Sequence, residues 1–215
     1  MALLQNAFDR VTLDEAMLRR WAIIPTTVAS DVMNRGGALP AEIRPLNHGP
    51  KLLGRARTLR IMVADSLGLH RILPFLEPND VLVIDGSGYL ENACFGALAA
   101  QVAVARGAVG VVVYGAVRDA AELRTLPLEV YASGITPRGP HKGFGGEMDY
   151  PVAIGSVCIN SGDLVLGDKD GVVVVPQNDA TRLITLCEEG VEREEAWRRR
   201  ILEHFPISVD HSLRP

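Results

Sequence analysis

Aromatic residues are scarce: Phe, Trp and Tyr make up 5% of the 215 residues, so any core must be assembled from Val, Leu, Ile and Ala rather than from rings. Cysteine is scarcer still. Cys94, Cys158 and Cys187 are too few and too scattered for a disulfide framework or a thiolate metal site, which fits a reducing compartment. No cluster of Lys and Arg goes beyond Arg198-Arg199-Arg200, and that triplet stands among glutamates. With 26 acidic against 22 basic residues and a net charge of −4, no nucleic-acid partner is expected. Long apolar runs are also missing. Residues 97–105 and 108–113 are each too short to cross about 30 Å of hydrocarbon, and Arg106 separates them, so no membrane partner is expected either. Asp9, Asp14 and Glu15 stand where a secretory leader would carry basic residues and an apolar run, which makes the cytoplasm the expected location. The histidines, at 48, 70, 141, 204 and 211, show neither i, i+4 pairing nor zinc-ligand spacing.

What is present is an ordinary soluble composition, 47% hydrophobic and 22% charged, on a chain long enough to bury a core. One domain over residues 1–215 is expected, with 179–215 as a C-terminal helical arm. Thr12-Leu13-Asp14-Glu15 has capping-box spacing and opens a short helix to about Trp21; after Pro25, Thr26 or Thr27 is positioned to cap a second helix that stops at Gly36-Gly37. Three prolines between 38 and 51 predict a loop, followed by a strand over 55–63 and a helix over 66–75.

From Val81 the pattern becomes regular: an apolar run over 81–84, a turn with Gly86 and Gly88, a helical stretch over 93–106, Gly107 as stop, and a second apolar run over 109–114. That is a strand, helix, strand unit. Such a crossover joins parallel strands and leaves both carboxyl ends at one sheet edge, where α/β proteins bind ligands. Residues 120–124 begin another helical turn, 128–132 form a strand, and a Gly/Pro-rich loop over 134–146 is either functional or a surface excursion. Residues 163–166 and 172–175 flank Asp168-Lys169-Asp170-Gly171 as a hairpin, and 179–204 is helical.

Three places offer chemistry. Gly86-Ser87-Gly88, between a strand and a helix, would present backbone amides to a carboxylate or phosphate, or serve as a plain turn. It lacks the third glycine of a dinucleotide fingerprint, the lysine of a P-loop and the spacing of a nucleophile elbow. Arg118-Asp119, after the second strand of the unit, places a planar anion clamp beside a hard oxygen ligand; the same pair also fits an Asp capping the next helix beside a surface Arg. Cys94 lies near the predicted helix start, where a thiol could be activated, although no histidine is close in sequence and a small buried cysteine fits as well.

The chain resembles the RraA-like family, which includes the class II pyruvate aldolases acting on 4-hydroxy-4-methyl-2-oxoglutarate and oxaloacetate. The resemblance covers residues 26–176 and rests on Gly-Ala-Val-Arg-Asp at 115–119, Thr-Pro-Arg-Gly-Pro-His-Lys at 136–142 and Gly-Asp-Leu-Val-Leu-Gly-Asp-Lys-Asp-Gly-Val-Val-Val-Val-Pro at 162–176. It implies an α/β/β/α sandwich of the swivelling phosphohistidine-domain type, assembled as a homotrimer or homohexamer. It also implies a divalent-metal-dependent lyase that cleaves or decarboxylates a small 2-oxo acid to pyruvate. By resemblance, Asp119 holds Mg²⁺ or Mn²⁺, Arg118 grips the oxo acid, and Gly96, Ala97, Leu98 and Ala99 hold its carboxylate. Glu195 and Asp31 are matched to carboxylates that a neighbouring subunit turns toward metal-bound water. The family's other known role, inhibition of ribonuclease E by protein contact, is the alternative expectation. One position departs from the aldolase pattern of Gly, an acidic residue, twenty residues and Arg-Asp: Ala97 stands after Gly96 where the acid belongs. Loss of such an outer contact weakens metal affinity or activity by roughly 10- to 100-fold. No Gly-x-Gly-x-Gly loop for S-adenosylmethionine is present.

Overall fold

A computed structural model describes residues 3–9, 14–46, 49 and 51–205. In chain order the elements are β1 (Leu4–Gln5), α1 (Glu15–Ala22), α2 (Thr26–Val32), β2 (Arg44–Pro45), β3 (Leu52–Ile61), α3 (Leu67–Ile72) with a 3₁₀ turn at Leu73–Phe75, β4 (Asp80–Phe95) and α4 (Ala97–Ala105). They continue with β5 (Gly110–Val117), α5 (Ala120–Leu123), β6 (Glu129–Ile135), β7 (Gly146–Met148), β8 (Val152–Ile154), β9 (Val157–Ile159), β10 (Leu164–Asp168), β11 (Gly171–Val175) and α6 (Ala180–His204).

The helix starts differ from the sequence expectation. Thr12 lies outside the described residues, and α1 is capped by Asp14, whose side chain accepts from the Met17 amide at 2.7 Å. Neither Thr26 nor Thr27 caps α2. Pro25 takes the cap position, and the Asp168 carboxylate, arriving from the far end of the chain, accepts from the Thr26 amide at 2.9 Å and its hydroxyl at 2.7 Å. α2 ends at Val32, and consecutive left-handed residues Asn34 and Arg35 turn the chain ahead of Gly36-Gly37.

The main sheet runs β1-β7-β3-β4-β5-β6-β2, and β10 adds antiparallel to β3 with β11 on its far side. The β3–β4, β4–β5 and β5–β6 pairs are parallel, so α4 is the crossover that the periodicity predicts. The β10–β11 hairpin also forms where predicted, with Asp168 opposite Gly171. One prediction is corrected: Gly86-Ser87-Gly88 does not open a helix. β4 continues through it to Phe95, with register shifts against β5 and positive φ at Ser87 (59°) and Gly88 (67°). A bulged strand has the same short-range signature as a strand-to-helix turn, because both need left-handed residues. The helix starts at Ala97, with Gly96 as its N-cap.

Three apolar clusters account for the layers. Leu59, Leu82, Ile84, Val111 and Val113 meet α3, α4 and α5 on one face of the parallel strands. Ala56, Val81, Val83, Val112 and Tyr131 on the other face meet Val165, Val172 and Val174 of the hairpin and the β8–β9 pair. Leu164, Leu166, Val173 and Val175 on the hairpin's outer side meet α1, α2 and α6 through Trp21, Ile24, Leu183 and Ile184. Each such fully buried Leu or Ile contributes about 1.5–3 kcal/mol. β5 is buried on both faces, which is why it reads as an unbroken Val run rather than as an alternating strand. Between the layers Arg57 is fully enclosed, donating both to Asp149 (2.9 and 3.0 Å) and to the Phe75 carbonyl (2.8 Å), so its charge is matched rather than stranded.

Candidate active site

β5 delivers Arg118 and Asp119 to the carboxyl edge of the sheet, next to the start of α4. The Arg118 amide donates to the Phe95 carbonyl at 3.0 Å, pinning the end of β5 to the end of β4. Asp119 then adopts a left-handed conformation (φ 57°, ψ 38°), which costs a residue with a Cβ about 1 kcal/mol and which Asp tolerates better than most. Asp119 occupies the N-cap position of α5 but does not cap it. Its Oδ2 instead accepts from the Ala97 amide at 3.2 Å, crossing to the first turn of α4, and lies 3.6 Å from Arg118 Nε. Its Oδ1 takes no hydrogen bond among the described residues. Gly96 permits this arrangement: a Cβ there would stand 2.7 Å from Asp119 Oδ2 and 2.9 Å from Arg118 Cγ. Both side chains are about two-fifths exposed (40% and 42%), so they face a cleft rather than bulk water or the core.

The cleft encloses about 70 Å³ and is lined by Gly96, Leu98, Ala99, Arg118, Asp119 and, from elsewhere in the chain, Ser66, His70, Cys94, Pro140 and Lys142. It suits a ligand of a few heavy atoms, well below the roughly 300–1,000 Å³ of drug-sized sites. By helix geometry the Leu98 and Ala99 amides have no intrahelical acceptor, since the first bond of α4 runs from Ala100 to Gly96. These two amides, Arg118 and Lys142 make the cleft a place for negative charge. Ala97 contributes its amide to Asp119 while its own residue is 2% exposed.

The loop that composition left undecided lies across this cleft. Asn92 Nδ2 donates to the Gly139 carbonyl at 2.7 Å, the Ala93 amide to Arg138 at 2.8 Å, and the His141 amide to Ala64 at 2.7 Å. Buried Asp65 fixes its far side, accepting from the Gly143 amide at 2.6 Å and Phe144 at 3.2 Å. A Cβ at Gly139 would lie 2.7 Å from an Arg118 terminal nitrogen, so glycine lets the loop close on the guanidinium.

Ser66 carries no sequence signal as a site residue, and His70 and Lys142 stand in the sequence without a role; pairwise spacing carries no signal for residues joined only by the fold. Partial burial, with nearby Lys142 second, lowers the His70 pKa, which favours a neutral imidazole at neutral pH. Cys94 is no nucleophile: burial pushes its thiol up to about 12, and Sγ faces the Ala116 carbonyl at 3.8 Å. Gly86-Ser87-Gly88 lies outside the cleft lining, as do Asp31 and Glu195, which are exposed in this chain. Among the described residues no three His, Cys, Asp or Glu side chains gather into a metal cluster.

The family model for RraA-like proteins, described as Aldolase/RraA, matches residues 26–174. The chain belongs to the RraA-like family. A 4-hydroxy-4-methyl-2-oxoglutarate aldolase of Thermus thermophilus is 36% identical over 152 residues, which is 71% of this chain and 92% of that protein. A solved structure of the RNA-processing inhibitor RraA, also from Thermus thermophilus, is 36% identical with a TM-score of 0.66, over 71% of this chain and 93% of that one. Streptomyces coelicolor RraAS2, described as an unusual member of the RNase ES inhibitor RraA family, matches at 30% identity and a TM-score of 0.80, over 88% of this chain and all of that one. The RraA-like fold therefore comes with two functional names at one level of similarity, and the cleft must decide between them.

Proposed function

We propose that this RraA-like chain is a carbon–carbon lyase that cleaves or decarboxylates a small 2-oxo acid to pyruvate, of the 4-hydroxy-4-methyl-2-oxoglutarate aldolase or oxaloacetate decarboxylase type. The observation that carries the reading is the convergence of Arg118, Asp119 and the first turn of α4 in one small cationic cleft. Inhibitory contact with a ribonuclease needs no such cleft. It is the second reading, favoured by one observation, that with Ala97 in place Asp119 is the one carboxylate lining the cleft among the described residues.

The donor set fits a divalent cation. Mg²⁺ and Mn²⁺ commonly take one or two protein carboxylates and fill the remaining positions with water and substrate oxygens, and Asp119 Oδ1 is unengaged among the described residues. Once bound there, such a cation supplies Lewis-acid charge to a chelating 2-oxo acid. The chain's own residues do the rest. Leu98 and Ala99 amides, with Gly96 opening the turn and Ala97 tethering Asp119, hold the substrate carboxylate. The Arg118 guanidinium faces the keto oxygen and stabilises the negative charge that develops there as the carbon–carbon bond breaks; fixed donors of this kind contribute about 2.7–4 kcal/mol each. Lys142 adds positive charge. The other fragment leaves as carbon dioxide from oxaloacetate, or as a second pyruvate once the 4-hydroxyl has given its proton to water, and a proton from water converts the remaining enolate to pyruvate.

The remaining expectations belong to the same proposal. The three clusters support an α/β/β/α sandwich of the swivelling phosphohistidine-domain type. One domain over 1–215 with 179–215 as an arm is part of the proposal; the first half of α6 packs against the hairpin, and 206–215 lie outside the described residues. A cytoplasmic homotrimer or homohexamer would let Glu195 or Asp31 of one subunit approach the cleft of another; no described helix is long and apolar enough to cross a membrane. The test is pyruvate release from oxaloacetate and from 4-hydroxy-4-methyl-2-oxoglutarate, with and without Mg²⁺ or Mn²⁺. Turnover that needs both the cation and Asp119 supports the lyase; rates at the uncatalysed background with both substrates overturn it.

A further inference from the structure

A second cleft, of about 670 Å³, lies at the opposite ends of the parallel strands from Arg118 and Asp119, where β3, β5 and β6 begin. Its volume is in the range of ligand sites. Glu129 lines it while only 8% exposed, and its carboxylate meets no hydrogen-bond donor and no cation within 4 Å among the described residues. Half-buried Lys51 lines the same cleft, and the two form no ion pair. Burial costs both groups: it raises the Glu129 pKa and lowers that of Lys51, which Asp168 partly restores. Arg124 stands exposed at the rim with Nε donated to the Leu46 carbonyl at 3.0 Å, leaving its terminal amines available. Leu52, Val109 and Leu126 supply an apolar wall.

Opposite charges that line one cavity without touching call for an occupant that carries both charges. A simple anion would satisfy Lys51 and Arg124 but press on a buried carboxylate, and a simple amine would do the reverse. We infer that this cleft binds an α-amino acid with an apolar side chain, its ammonium on Glu129, its carboxylate between Lys51 and Arg124, and its side chain against Leu52, Val109 and Leu126. The site shares no residue with the Arg118 cleft, so it stands whether or not the chain is a lyase.

Calorimetric titration of the full chain tests it, with L-leucine, L-methionine and L-phenylalanine as probes and, for each, the 2-oxo acid and the amine of the same skeleton. The expected result is saturable binding of at least one amino acid and at least tenfold weaker binding of both its single-charge analogues. Glu129→Gln weakens that amino acid at least tenfold, and so does Arg124→Ala, a rim change that serves should Glu129→Gln fail to fold; Asp119→Ala leaves it unchanged. Three results overturn the site: no amino acid binding, an oxo acid that binds the Arg118→Ala chain, whose other cleft is disabled, as tightly as its amino acid does, or an affinity indifferent to Arg124→Ala and to a folded Glu129→Gln.

Discussion

Asp119 and Asp168 make the same local gesture with opposite endings. Each stands at the end of a strand of the main sheet, Asp168 as the last residue of β10 and Asp119 two residues past β5, and accepts from the first backbone amide of a helix distant in sequence: Ala97 of α4 for Asp119, Thr26 of α2 for Asp168. Asp168 is saturated. Its Oδ2 takes the Thr26 amide, while its Oδ1 takes the Thr26 hydroxyl at 2.7 Å and the Asp170 amide at 3.0 Å. Asp119 is half-used, with one longer bond at 3.2 Å, an Oδ1 that takes no hydrogen bond among the described residues, a left-handed backbone and two-fifths exposure. A carboxylate whose acceptor sites are filled by its own chain is a fastener. One held in place by a single bond and left open on the other side is positioned for a ligand.

The contrast is broken most severely if Asp119→Ala retains turnover. That substitution is expected to cost at least about a thousandfold in pyruvate release, roughly 4 kcal/mol, with little change in melting temperature. Gly96→Ala tests the close approach: its Cβ, 2.7 Å from Asp119 Oδ2, must displace the carboxylate, and a shift of about 1 Å in a catalytic group costs about a hundredfold. Asp168→Ala should do the reverse, costing about 1–2 kcal/mol of stability in denaturant unfolding while the rate per folded molecule stays unchanged. The smallest effect concerns His70. Because its folded pKa is lowered, the unfolded chain takes up a proton first as pH falls through about 6.5. The native state's advantage, present above that pH, therefore declines below it, and His70→Gln should flatten unfolding curves measured between pH 7.5 and 5.5.

How much of this could be read from the sequence follows the range of the interactions. The β4–α4–β5 crossover, the β10–β11 hairpin and the Arg118-Asp119 pair are local, and each was legible from apolar runs and adjacent residues. β4 was misread because Gly86-Ser87-Gly88 looks alike whether a strand bulges or ends. The cap of α2 was misread because its acceptor, Asp168, is 142 positions away. Ser66, His70 and Lys142 come to line one cleft with Arg118 through sheet topology and the Asp65-anchored loop, which no spacing rule encodes. Ala97 works in both directions: the resemblance showed a missing acid, and the structure shows that its amide holds Asp119.

The central claim is that this cleft stabilises negative charge on the oxygen of a bound 2-oxo acid, and pyruvate itself reports this without knowledge of the physiological substrate. Proton NMR in D₂O should show the pyruvate methyl protons exchanging for deuterium well above the enzyme-free rate when Mg²⁺ or Mn²⁺ is present, with Asp119→Ala and Arg118→Ala returning exchange to background. Exchange no faster than in buffer, or equally fast in both variants, would contradict the account.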